Sequence, residues 1–448
     1  MNRFFTSLRN AFQIEELRER ILFTALMLLI VRVGSFIAVP GMNLSQVGAG
    51  NMNANTLFGM FNMFVGGAYE NGAIFALGIM PYISASIIVQ LFGAVVPYLQ
   101  KLDQEGEEGR KQKNNLTRYL TVLLAFAQGI AIAISLQETP VGNNTAAVLE
   151  AVQGPTFVLT AAAIFTAGTV FLMWIGEQIT EKGIGNGVSL IIFIGIMARL
   201  PQAIGEELAL VTAGTRNLVV EAIILAILVA VIAGVVMFTQ AVRKIPVSYA
   251  KRRMGNKVYG GSTQHLPIQL TTANVMPIIF AQAIMFIPNT IVQYLPESDM
   301  ARFIGQNFQY DSALYSTVFA LLIIFFTFFY TAIVFNPRDV AENMRKNGGY
   351  IPGVRPGKPT EEYIDNILTK VTVPGSLFLA LVAIMPAFAS RLGVSPTFAT
   401  FFGGTSLLIM VGVALDTLKQ IESYLLMRHY DGFMKSGKLR GRQAAVPS

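Results

Sequence analysis

The chain is 448 residues long, 53% hydrophobic and only 13% charged, with a mean hydropathy of +0.54 and a formal net charge of +7. That balance excludes an ordinary soluble domain and points to a polytopic membrane protein. There is no cysteine, and His265 and His429 have no ligand-like spacing, so no disulfide, metal centre or cofactor is expected.

In chain order, residues 1–20 are expected to form an amphipathic N-terminal helix on the cytoplasmic side. Its stretch LRNAFQIEELRERI runs into the first apolar span without the small-residue site of a cleavable signal. Ten spans follow, near 21–39, 74–98, 119–137, 156–176, 188–204, 217–241, 272–295, 312–335, 371–390 and 401–419. Each is close to the ~20 residues that a ~30 Å hydrocarbon core requires. The fifth is interrupted by Arg199 and Pro201.

Basic residues set the orientation. Alternate loops carry 28 Lys and Arg on one side against four (Arg199, Arg216, Arg302 and Arg391) on the other, with Arg32 inside the first span. By the positive-inside rule both termini are expected in the cytoplasm. An all-α protein of two five-helix halves follows, 21–210 and 211–420, with a cytoplasmic tail at 421–448. Five is odd, so the halves have inverted topology, an arrangement that places a pathway at their interface. Two cytoplasmic loops exceed what a connection needs: 242–270, with six basic residues and no acid, and 336–370, rich in Pro and Gly. Long loops in compact proteins tend to be functional, here as docking sites, beside the contact with anionic lipid that their charge implies.

The spans are short of chemistry. Arg32 is the ionisable residue at depth, and Glu177 and Asp416 sit near cytoplasmic span ends. Intramembrane proteolysis needs a nucleophile–base pair or paired aspartates, and coupled transport needs charges along the path. Neither is present. A secondary transporter remains the alternative from another class, because inverted repeats and proline-broken helices suit it. What the spans do carry is branched aliphatic side chains at helical spacing. Ile79 and Ile83, four apart, share a face that suits bundle core or a narrow hydrophobic constriction that excludes ions by dewetting.

The stretches FALGIMPYISASIIVQL, FLMWIGEQITEKGIGNGVSLIIF, IPGVRPGKPTEEYI and FFGGTSLLIMVGVALD resemble the SecY family, whose members form the centre of the protein-conducting channel. The resemblance covers all ten spans and both long loops. It implies a clamshell of two halves around an hourglass pore, with a waist ring at Ile79, Ile83, Val188, Ile192, Ile279 and Ile409. Val188 stands where isoleucine is common. It also implies that LFGMFNMFVGGA, Leu57 to Ala68, is a plug resting below the ring. Phe58, Met60, Phe61, Met63 and Phe64 would supply apolar contact, Asn62 would satisfy backbone groups, and Gly66 and Gly67 would form a hinge.

A lateral gate between the second and third spans and the seventh and eighth is implied as the site where signal sequences enter. Gln90, Gln282 and Asn289 are candidate neutral contacts across it. The implied partners are the small subunits SecE and SecG, the SecA motor ATPase, the ribosome through its RNA, and signal-bearing or nascent polypeptides. The implied location is the bacterial plasma membrane. Docking would involve Arg355, which matches a functionally sensitive arginine of the family, with Lys358, Lys251, Arg252, Arg253 and Lys257. Where the family often has a basic pair, this chain has Asn256–Lys257. EKGIGNG, 181–187, lacks the spacing of a phosphate-binding loop and is expected to be a tight turn.

Overall fold

Ten long helices dominate the computed structural model, which describes residues 14–42, 62–138, 140–141, 145–146, 148–149, 153–214, 217–249, 252–254, 257–259, 263–270, 275–294, 299, 312–391, 393–401 and 403–436. Residues 1–13 of the expected N-terminal helix lie outside the described residues; from Glu15 the chain runs into the first span as one element, α1 (Glu15–Gly34), with acids in its first turn and Arg32 in its last, both favourable to the helix dipole. The second span starts later than its apolar run. Residues 65–79 form turns, and α2 (Met80–Val95) begins with Pro81 in its first turn, where the missing N–H costs no hydrogen bond. A break at Val96 starts α3 (Pro97–Gln104), followed by α4 (Glu107–Glu138), a two-residue hairpin of β1 (Pro140–Val141) and β2 (Thr145–Ala146), and α5 (Pro155–Lys182). The fifth span is longer than its apolar stretch suggests: α6 (Gly187–Thr212), capped by Asn186, carries Pro201 inside it. The second half contributes α7 (Leu218–Gln240), α8 (Met276–Tyr294), α9 (Ala313–Val334) and, further on, α11 (Lys358–Arg391) and α13 (Gly404–Ser436). Among the described residues, seven of these helices are long and apolar enough to cross a membrane alone. The shorter α2 and α8 and the charged-ended α1 pack with them to make ten.

At one end of the bundle the two long loops become a folded lobe. Strand β3 (Val242–Tyr249) pairs antiparallel with β6 (Thr263–Gln269) along its length, and β7 (Gly349–Tyr350) joins its other edge at Ser248↔Tyr350. Between β3 and β6, the short hairpin β4 (Arg252–Met254) and β5 (Lys257–Tyr259) forms the tip. Helix α10 (Pro337–Lys346) and the start of α11 cover the sheet. Alternate residues Ile245 and Val247 face inward, and with Ile268, Met344, Ile351, Ile364 and Leu368 they form a separate core. The 242–270 and 336–370 segments are therefore two parts of one body.

The opposite end is closed by loop pairings: Ala38↔Ala73 and Met42↔Val148 bridge, and the short α12 (Pro396–Ala399) lies against α6. One contiguous apolar core runs through both halves of the bundle.

Candidate functional site

Five of the six ring candidates are buried in that shared core: Ile79, Ile83, Ile192, Ile279 and Ile409 are each at most 5% exposed. Val188 is half-buried and packs against the same core. They arrive from α2 and its N-cap, α6, α8 and α13, so both halves contribute. All are branched aliphatics, which bind neither ions nor water and leave no polar groups to satisfy. Beside them, a cavity of about 30 Å³ is lined by Ile79, Ile192, Phe64, Val65, Arg32 and neighbouring residues. It has room for roughly two waters.

The seventeen-residue segment 62–78 is held against the same place. Asn62, Met63 and Phe64 are helical and buried; Phe58, Met60 and Phe61 lie outside the described residues. Met63 Sδ sits 3.0 Å from the Thr400 hydroxyl and 3.8 Å from that of Ser406, both in the second half. The Thr400 hydroxyl also lies 2.7 Å from the Thr397 carbonyl, a far better acceptor, so the sulfur contact is soft packing.

Asn62 does satisfy a backbone group: its Oδ1 accepts from the Glu70 N–H at 3.1 Å, while its Nδ2 donates to Glu70 Oε2 at 2.9 Å. Gly66 and Gly67 adopt the expected positive φ, +66° and +90°. Their surroundings are tighter than a free hinge would be. Arg32 Nη1 donates to the Gly66 carbonyl at 2.6 Å, and the Arg199 guanidinium lies over Gly67. Gly195 of α6 approaches so closely that a β-carbon there would collide with the Phe64 carbonyl.

Helix α8 packs against α2 and α4. Gln90 donates to Ser86 on its own helix at 3.0 Å, and Gln282, 1% exposed, has the Tyr315 hydroxyl of α9 as its neighbour. The partners described for both lie on their own sides of the seam. The Asn289 side chain lies outside the described residues.

In the lobe, Arg355 is exposed on the turn between β7 and α11, and Lys358 is exposed at the first position of α11. Val354 anchors that turn on the lobe core, and the Thr360 hydroxyl holds the Arg355 carbonyl at 2.8 Å. Arg252, Arg253 and Lys257 fall on the β4–β5 hairpin; their side chains, and Lys251, lie outside the described residues. The 183–187 segment is a tight turn, and it joins distant helices. Thr24 of α1 accepts from the Ile184 N–H at 3.0 Å, and Gln420 of α13 accepts from the Gly185 N–H at 2.8 Å. Arg20 stacks on Tyr424 from across this clasp. These polar partners, like Glu70 and Arg199, are isolated in the sequence, and nothing local marks them.

The fold and site define a multi-pass helical membrane protein whose two five-helix halves share an aliphatic core, seated over by a short folded-back segment. The SecY family profile matches residues 73–418, and the chain belongs to that family. It is 44% identical over 444 residues to the protein translocase subunit SecY of Halalkalibacterium halodurans, covering 96% of this chain and 100% of the relative. Its fold is similar to that of a solved structure described as "The structure of a protein conducting channel", with a TM-score of 0.66 at 18% identity, covering 93% and 95% of the two chains. A second solved structure of similar fold, "Sec61 in the Canine ribosome-channel complex from the endoplasmic reticulum", gives a TM-score of 0.62 at 17% identity and the same coverage.

Proposed function

We infer that this chain is the pore-forming subunit of a protein-conducting channel, which passes unfolded polypeptides across the membrane and releases apolar helices sideways into it. The observation that carries the reading is the convergence of Ile79, Ile83, Ile192, Ile279 and Ile409 from both halves into one uncharged core, with Met63 and Phe64 in the same cluster. Aliphatic side chains seal against ions, yet hold no polypeptide sequence tightly. The segment 57–68 acts as the plug, and the α2/α4–α8 seam is the lateral gate. A signal helix gains roughly 0.3–0.6 kcal/mol per Leu or Ile inserted. Polar contacts between spanning helices contribute only about 0.6–2 kcal/mol each, so a few apolar residues suffice to displace them.

Both termini and the β3–β6–β7 lobe face the cytoplasm of a bacterium, where 28 of the basic residues lie. The lobe receives the SecA motor and the ribosome, its basic hairpin meeting phosphates or acids, while SecE and SecG brace the bundle within the membrane. The channel supplies no energy of its own; its work comes from those partners. Among the described residues no group of His, Asp and Glu suits a metal, and the mechanism calls for none.

Proteoliposomes holding the chain with SecE and SecG test this directly. An unfolded signal-bearing precursor should become protease-protected only when SecA and ATP are present. Uptake of radiolabelled small solutes without precursor, and no protection of precursor, would favour the transporter alternative instead.

A further inference from the structure

We propose that Glu70 and Arg199 form a latch that fixes the root of the plug to α6, so that the plug opens by pivoting about its root rather than by leaving as a whole. The inference deepens the plug reading and rests on it. Arg199 Nη2 donates to Glu70 Oε2 at 2.6 Å, and the two side chains are only 15% and 17% exposed. The same carboxylate oxygen accepts from Asn62, and Asn62 in turn accepts from the Glu70 N–H. The Asn62 carbonyl accepts from the Gly67 N–H at 2.8 Å. Residues 62–70 are thus a closed loop with one charged attachment to α6. A second attachment, Arg32 to the Gly66 carbonyl, ties the loop to α1.

Both attachments belong to the first half. Among the described residues of the plug, the polar contacts to the second half are of another kind, the thioether of Met63 lying against Thr400 and Ser406. When the halves part, contacts of the two strengths share the strain. A charge-assisted bond with little access to water resists separation far better than a sulfur–hydroxyl contact. The Met63 end releases, and the Glu70 end stays on α6. Arg199 also donates to Gln202 at 2.8 Å, which holds the guanidinium in place while the plug swings. Arg199 lies on the side poor in basic residues, where the positive-inside rule gives it no orienting role, and its partner carboxylate lies 129 residues away in sequence.

The test uses the cysteine-free chain in proteoliposomes with its two small subunits. Glu70→Gln and Arg199→Gln should each raise resting ion conductance roughly tenfold, the scale of a modest shift in a closed–open equilibrium. The double variant Glu70→Cys/Arg199→Cys should leak similarly when reduced, seal when oxidised to a disulfide, and in that oxidised state still transport precursor. A parental level of conductance in both Gln variants and in the reduced double variant would overturn the latch. Loss of transport in the oxidised double variant would overturn the pivot, because it would mean that the root must leave α6. Deletion of 57–64 serves as the separate check on the plug itself: increased conductance there, with silent latch variants, removes the latch and keeps the plug. No increase in the deletion removes the plug reading and the latch with it. Membrane abundance of each variant distinguishes leakage from loss of folded protein.

Discussion

Arg355→Glu should abolish SecA-driven export while leaving the chain in the membrane. The side chain is exposed at the tip of a turn whose backbone is fixed independently of it. Gly353 and Gly357 take φ of +84° and +103°, Val354 packs into the lobe core, and the Thr360 hydroxyl caps the Arg355 carbonyl. Prolines at 352, 356 and 359 reduce the freedom that the unbound turn would otherwise lose on docking. Reversing an exposed charge therefore costs the fold little, and the effect falls on the partner. A planar guanidinium held outward suits a carboxylate or phosphate fork, and glutamate replaces attraction with repulsion. Disrupting a charge pair of this type costs about 2–5 kcal/mol, which is some 30- to 5,000-fold in affinity. ATP-dependent translocation into inverted vesicles, normalised to the membrane level of the chain, measures it. Normal export would remove Arg355 from motor docking.

The second large effect is expected at the constriction. Ile79 and Ile192 line the small cavity together with Phe64, and neither is more than 4% exposed. Ile79→Ser/Ile192→Ser removes most of both side chains and adds two hydroxyls to the lining of that cavity. Losing a buried isoleucine costs about 2–5 kcal/mol when the site cannot collapse. Here the enlarged space is polar and beside Arg32, so it fills with water instead, and the dewetting barrier to ions falls. Potassium flux from loaded vesicles should rise at least about tenfold in the absence of any precursor, since 1.4 kcal/mol off a barrier already gives that factor. Flux equal to the parent would show that these two positions do not form the seal. Single Ile→Val changes at the same sites keep the apolar surface and should leave flux near the parental level.

These residues also show how far the sequence goes. The spans are legible because twenty apolar residues have few other places to go, and Ile79 and Ile83 because a spacing of four puts them on one helix face, whereas the rest of the ring followed only from the family resemblance. Helix starts are less legible. The apolar run at 74–79 looks like helix, but Gly78 takes φ +56° and α2 starts only at Met80. The lobe is hidden for a different reason. β3 pairs with β7 across a separation of about a hundred residues, so two segments that read as loops become one core only in three dimensions. The alternation of Ile245 and Val247 was the available local signal. The latch is the least legible feature. Glu70 looks like a loop acid and Arg199 like an interruption of the fifth span, and only the turn through Gly66 and Gly67 brings them to 2.6 Å. The glycines themselves were legible as positive-φ residues. Their close approach to Gly195 was not, because packing of backbone on backbone leaves no pattern in one sequence.

A single measurement reaches the central claim most directly. Cysteines placed one at a time by Ile83→Cys, Ile279→Cys and, as a lipid-facing control, Val229→Cys on the 64% exposed position of α7, are cross-linked to a precursor stalled during SecA-driven import. The account predicts capture at positions 83 and 279, dependent on ATP and precursor, and none at 229. A stalled precursor that never cross-links at 83 or 279 would contradict it.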